Sequence, residues 1–358
     1  MPEKNKRSSS IELLRVLCML FIIADHFAGQ SGIREGGLPA AGYYEALSSL
    51  SRVACSVFVI ISAWFDAERE EFRLEKLGRV WLTAFMYLVP VTFFLYRRSL
   101  ASGLQLYTAL LPLEGGSLWF VSCFLQLQCL APALKLLVRK QKRLSESLLL
   151  FFGITLTGYA TLTGRQGVFT SDLWVMIYLY TLTLYWKRWG SGTPKPRACA
   201  AVFFPLWALL LAFRLFSSAR GYTTLMAYSE TFRSCMQSLP NMALAYCLFF
   251  GFLGWDRRES RIVSTMASCT LGVYCFHQIP AFYPVLWTKL LQSTAHAALL
   301  SGGARLLYTV CAILLTALLG TAVELLRARL SRLLIEDRKW YRRLCERFNR
   351  FVNEAVRV

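Results

Sequence analysis

Apolar stretches recur near residues 11–29, 46–65, 78–96, 117–137, 147–163, 171–187, 199–217, 237–255, 262–280 and 298–326. A stretch of about 20 such residues is what a helix needs to cross the ~30 Å hydrocarbon core of a bilayer. No other property limits the possible folds as strongly. A backbone inside lipid must satisfy its own polar groups, so segments of this length form helices. The expected fold class is therefore all-α: a polytopic membrane bundle of about ten transmembrane helices. Hydrophobic residues make up 56% of the chain and charged residues 17%, which is too apolar for a soluble protein of 358 residues.

The loops fix an orientation. Lys4, Lys6, Arg7, Arg69, Arg73, Lys76, Arg79 and the cations of 135–143, 187–197, 257–261 and the stretch after 326 fall on one side. They account for 29 of the 40 Lys and Arg; nine fall on the other side, and Arg15 and Arg52 lie within spans. The positive side is expected to be cytoplasmic, with both termini there. The net charge of +19 is spread over short clusters between spans, so nucleic acid is not an expected partner. Eleven scattered cysteines show no metal-ligand spacing, and no metal site is expected. Met1–Arg7 looks like the start of a signal peptide, but no small-residue cleavage pattern follows, so the first span is expected to remain. We expect a transmembrane domain over 1–326. Residues 327–358, which alternate basic and apolar residues at helical spacing, are expected to form a helix on an anionic inner leaflet.

Arg15 and His26 lie eleven residues apart on the first span, which returns them to nearly one helix face about 16 Å apart along the axis. Buried polar side chains are costly in hydrocarbon and call for a reason. One reason is structural: Arg15 snorkels to the headgroups and His26 caps the far end. The other is chemical. Orientation places Arg15 and Ser62 near the inner face, where Arg79 enters the third span. Asp25, His26, Arg52, Trp119, His277 and Gln278 fall toward the outer face. Two of the chain's three histidines thus end outward-running spans at matching depth.

Four motifs, in order, give these positions a context. They are Ile11-Glu12-Leu13-Leu14-Arg15 with His26, Phe58-Val59-Ile60-Ile61-Ser62-Ala63-Trp64-Phe65, Leu118-Trp119-Phe120 with Pro132, and Thr270-Leu271-Gly272-Val273-Tyr274-Cys275-Phe276-His277. The sequence resembles the integral-membrane acyltransferase 3 family, which modifies cell-envelope carbohydrates. Ala63-Trp64 stands where that family usually has Gly-Tyr, and Asp25 precedes His26 where many relatives differ.

The resemblance implies an O-acyltransferase in a bacterial plasma membrane. It would move an acyl group, usually acetyl from acetyl-CoA, to a hydroxyl of a surface polysaccharide or glycolipid precursor. No permanently bound cofactor is expected. His26, Arg15 and His277 become candidate catalytic residues, Arg15, Arg79 and Ser62 candidate donor contacts, and Asp25, Trp119 and Gln278 candidate acceptor contacts. Neutral imidazole is suited to accept a hydroxyl proton near neutral pH. Direct transfer and an acyl-histidine intermediate both remain open. An exporter or a membrane ligand sensor is the competing class, since buried polar residues suit those functions too.

Overall fold

The computed structural model describes residues 9–31, 38–69, 71–111, 118–165, 171–293, 296 and 300–356. The basic start Met1–Arg7 and Gly115-Gly116-Ser117 at the head of the fourth expected span lie outside them. Among the described residues every regular element is a helix. The chain divides into two compact units, each made of separate stretches: residues 1–67 with 137–268, and 68–136 with 269–358.

The first unit contains α1 (Ser9–Gln30), α2 (Leu38–Ser48) and α3 (Ser51–Asp66). Its second stretch contributes α7 (Lys142–Phe152), a π-helical stretch, α8 (Tyr159–Thr163), α9 (Asp172–Trp189), α10 (Pro196–Arg220), α11 (Thr223–Ser234), α12 (Leu239–Leu253) and α13 (Arg261–Ser268). α3 is central, packed against α1, α9 and α12. Its sequence explains this, because Val53, Ala54, Val57, Val59, Ile60 and Ala63 are all buried. Trp64 fills the α3–α9–α12 junction, edge-on to Phe249 and Phe250 at 5.5 and 5.7 Å. Lys187 Nζ stands over the Trp64 ring at 4.8 Å and donates to the Trp64 carbonyl at 2.8 Å. The larger ring at this departure from the family pattern thus joins three helices.

The second unit contains α4 (Leu74–Arg97), α5 (Gly103–Leu110), most of α6 (Trp119–Lys140), α14 (Thr270–Gln278), the long α15 (Gly302–Ser331) and α16 (Lys339–Val356). α14 packs against both α4 and α15. Gly272 makes the second contact possible, because a Cβ there would overlap the Glu324 carboxylate. Gly320 does the same on α15, where a Cβ would lie 3.2 Å from the Val273 backbone. Small residues let membrane helices approach to backbone distance.

Seven helices among the described residues are long and apolar enough to cross a membrane. They match the second, third, fourth, fifth, seventh, eighth and tenth expected spans. The first and sixth expected spans form α1 and α9, and the ninth is divided at Cys269 into α13 and α14. α15 runs without a break through Arg327, the residue at which the basic tail was expected to begin. α16 is tied to α4. Asn349 and Asn353 side chains accept from the backbone amides of Leu74 and Phe72 at 2.6 and 2.7 Å, supplying the cap that Arg73 does not. Asn349 also donates to Glu75 at 3.0 Å. The opposite face of α16 exposes Trp340, Leu344 and Phe351, with Arg343, Arg347 and Arg350 at neighbouring helical positions.

Candidate functional site

In the first unit, α1 carries polar groups at both ends. Near its start, Glu12 is buried and accepts from Ser264 of α13 at 3.0 Å, while Ser9 donates to the Arg258 carbonyl at 2.8 Å. Arg15 is half-buried one turn beyond Glu12, and Ser62 is half-buried near the end of α3. The α3 C-terminus meets cations: Arg139 donates to the Ala67 carbonyl at 3.0 Å, beside the Lys187 contact to Trp64. Such donors satisfy the orphan carbonyls of a helix end and complement its partial negative charge.

The other end of α1 is richer in ions. Asp25 and His26 are both half-buried. Asp25 accepts a hydrogen bond from Ser51 and lies in the field of Arg52, Arg233 and Glu230. Arg52 stands 3.8 Å from Asp172 at the start of α9. Beyond them, Arg214 on α10 bridges Glu45 of α2 at 3.1 Å and Glu230 of α11 at 2.9 Å. Arg233 bonds Glu230 at 2.5 Å and stands 3.7 Å from Glu45. Six of these charged groups come from five helices, and the pairing explains how Arg214, only 6% exposed, is tolerated inside an apolar helix.

In the second unit, His277 is fully buried on α14 with its Nδ1 2.6 Å from the Val273 carbonyl. A carbonyl accepts only, so Nδ1 carries the proton and Nε2 is the ring's acceptor. Tyr274 stands edge-on to the ring at 6.1 Å. Gln278, next along, is half-buried. Trp119 opens α6, half-buried, with Phe120 edge-on at 5.7 Å. Arg79 on α4 is exposed and bonded to Glu336 at 3.0 Å. Two turns further along α4 lies Tyr87, in the field of Glu324, which in turn is held by Arg327 through two hydrogen bonds of 2.7 and 2.9 Å.

The structure thus brings Asp25, the chain neighbour of His26, into an ionic neighbourhood of the first unit. It holds His277, Gln278, Trp119 and Arg79 in the second. Sequence reasoning named neither the Glu45–Arg214–Glu230–Arg233 network nor the Glu324–Arg327 pair. A signal for the first was present: Arg214 stands alone among apolar residues just before the end of the seventh expected span. For the second it was weaker, since Arg327 reads as the first cation of a basic tail.

A family model described as an acyltransferase domain, acyltransferase 3, matches residues 8–325. No curated protein and no solved structure matches the chain.

Proposed function

This chain belongs to the acyltransferase 3 family, a multi-pass membrane acyltransferase, and on that footing we propose that it transfers an acyl group, acetyl in the first instance, from acyl-CoA to a carbohydrate hydroxyl at the outer face of a bacterial plasma membrane. The observation that carries the proposal is α1 itself. One helix holds a cation near one end and an imidazole about 16 Å further along nearly the same face.

In this reading Arg15 holds a phosphate of the anionic donor on the cytoplasmic side, with Ser62 on the same side. The guanidinium fork suits phosphate. The pantetheine arm runs along the bundle and presents the thioester toward His26. The acceptor hydroxyl oxygen attacks the thioester carbonyl while His26 takes its proton. The tetrahedral intermediate collapses, the C–S bond breaks, and the CoA sulfur leaves, taking that proton from the imidazolium. An ester and free CoA result. Asp25, next to His26 in the chain, positions the acceptor. The exposed apolar stripe of α16 and its arginines support the expected contact with an anionic inner leaflet.

The test is label transfer from radioactive acetyl-CoA to envelope glycan in membranes carrying wild-type or His26→Ala protein at equal levels. Transfer by the wild type and its loss in the variant is the expected result. Equal transfer by both removes His26 from the chemistry, and no transfer by either removes the acetyl donor or the glycan acceptor.

A further inference from the structure

The tail helix α16 presents three separate rows of side chains. At about 100° per residue, Tyr341, Cys345, Asn349 and Asn353 fall on one side, and that side meets α4. Cys345 is buried, the Tyr341 hydroxyl fills the space that a Cβ on Gly78 would need, and Asn349 and Asn353 cap Leu74 and Phe72. About a third of a turn away runs a second row, Trp340, Leu344, Phe348 and Phe351, all exposed, Phe351 by 70%. About a quarter-turn beyond it lie Arg343, Arg347 and Arg350, also exposed. Glu354 ends this third row, so three cations stand against one carboxylate. Arg342, outside it, is committed to Asp337 at 2.8 Å.

The place of α16 in the second unit decides what these rows meet. α4 and the helical run Gly302–Glu336 are both long and apolar enough to cross a membrane, and α16 follows the second and is bonded to the first turn of the other. Arg79 bonds Glu336 at 3.0 Å, so the start of one such helix and the end of the other lie together. Ends of membrane-length helices lie at headgroup depth. At that depth a Trp, Leu and Phe row enters the acyl boundary, and an arginine row beside it reaches lipid phosphates, whose oxygens match the guanidinium fork. Facing water instead, the same row is an apolar patch left uncovered.

We propose that α16 is an anionic-lipid clamp: inner-leaflet phosphates on Arg343, Arg347 and Arg350, with the Trp340–Phe351 row in the acyl boundary, hold it against α4 and stabilise the capped start of that helix. Lipid and α4 use different rows, so both engage at once. Arg73 supplies no side-chain cap, and the side-chain acceptors for the Phe72 and Leu74 amides come from α16. A lipid that binds the docked helix stabilises docking by mass action. The clamp deepens the leaflet contact proposed above and rests on it.

Full-length protein is purified into nanodiscs of equal parts phosphatidylcholine and phosphatidylglycerol, with brominated chains on one lipid or the other. Trp340 emission, taken as the difference between wild type and Trp340→Phe, reports which lipid stands beside α16, and hydrogen exchange at residues 72–74 reports the cap. The expected result is stronger quenching by brominated phosphatidylglycerol. Exchange at 72–74 is expected to be slower than in pure phosphatidylcholine by about fivefold or more, the effect of at least one interfacial cation. Arg343→Gln, Arg347→Gln and Arg350→Gln together abolish both effects, whereas Arg143→Gln, Lys195→Gln and Arg197→Gln together leave both unchanged. If the first triple variant misfolds, Arg347→Gln alone decides, by weakening both effects. Trp340 unquenched by either lipid removes the leaflet contact and the clamp with it. A shielded Trp340 in discs that hold two copies does the same and assigns the row to a second copy. Equal quenching by both lipids, or loss of the preference in the control variant, overturns the clamp and leaves an apolar contact with the leaflet. Preference for the anionic lipid with unchanged exchange at 72–74 keeps the leaflet contact and overturns the clamp.

Discussion

His26 and His277 end their helices in similar sequence contexts, yet their surroundings are opposite in kind. His26 is half-buried next to Asp25, whose carboxyl accepts from Ser51 and lies in the field of Arg52, Arg233 and Glu230. His277 is sealed, with its Nδ1 on the carbonyl one turn back and Tyr274 across its ring. The first environment suits a group that exchanges a proton with a mobile partner; the second suits a group whose orientation is fixed before a ligand arrives. A similar place in the sequence pattern does not mean an equal role.

That contrast is most exposed to test at His26. Replacing it with Ala is expected to lower label transfer by about 10²–10⁴-fold, the usual share of a general base, while membrane insertion is kept. His277→Asn retains a donor near the Nδ1 position, whereas His277→Ala removes it and leaves a void. We expect Asn to keep more transfer activity than Ala, and Ala to lower unfolding stability by about 1–3 kcal/mol. Equal and complete loss in both would place Nε2 in the proton path and erase the distinction drawn here.

The ion pairs of the second unit repeat the contrast between sealed and open settings. Glu324 and Arg327 are both buried and doubly bonded, so Glu324→Ala strands a buried guanidinium, at a cost of about 3–5 kcal/mol in thermal or denaturant unfolding. Arg79→Ala breaks an exposed pair whose stabilisation is about 0–1 kcal/mol. A large loss from the second and none from the first would invert the burial argument. For donor affinity, Arg15→Ala is expected to weaken acetyl-CoA binding about tenfold, in line with loss of one charge-assisted contact. Arg79→Ala should have the smallest effect, because Glu336 already neutralises that cation. Equilibrium binding to purified protein orders the two.

Much of the architecture was legible before any coordinates. Ala, Val and Ile at 53–63 announce a buried helix, and α3 is one. The Gly272 of the fourth motif has its reason in the Glu324 carboxylate packed against it, a contact between residues remote in the chain. The break at Cys269 was not legible, because 262–280 reads as one apolar run and helix continuity there depends on what packs beside it. Asn349 and Asn353 read as polar positions of a basic tail; their capping of α4 appears only when the two helices meet.

The sequence alone determined that the chain is helical with several helices of membrane length, and it determined where the four motifs fall along the chain. Length, hydropathy and loop charge are local properties, and the bilayer acts on each segment separately. Tertiary structure decided what each buried charge faces: Arg214 with Glu45 and Glu230, Arg327 with Glu324. Burying a charge requires an opposite charge or hydrogen-bond partners, but the identity of the partner is set by which helices pack together.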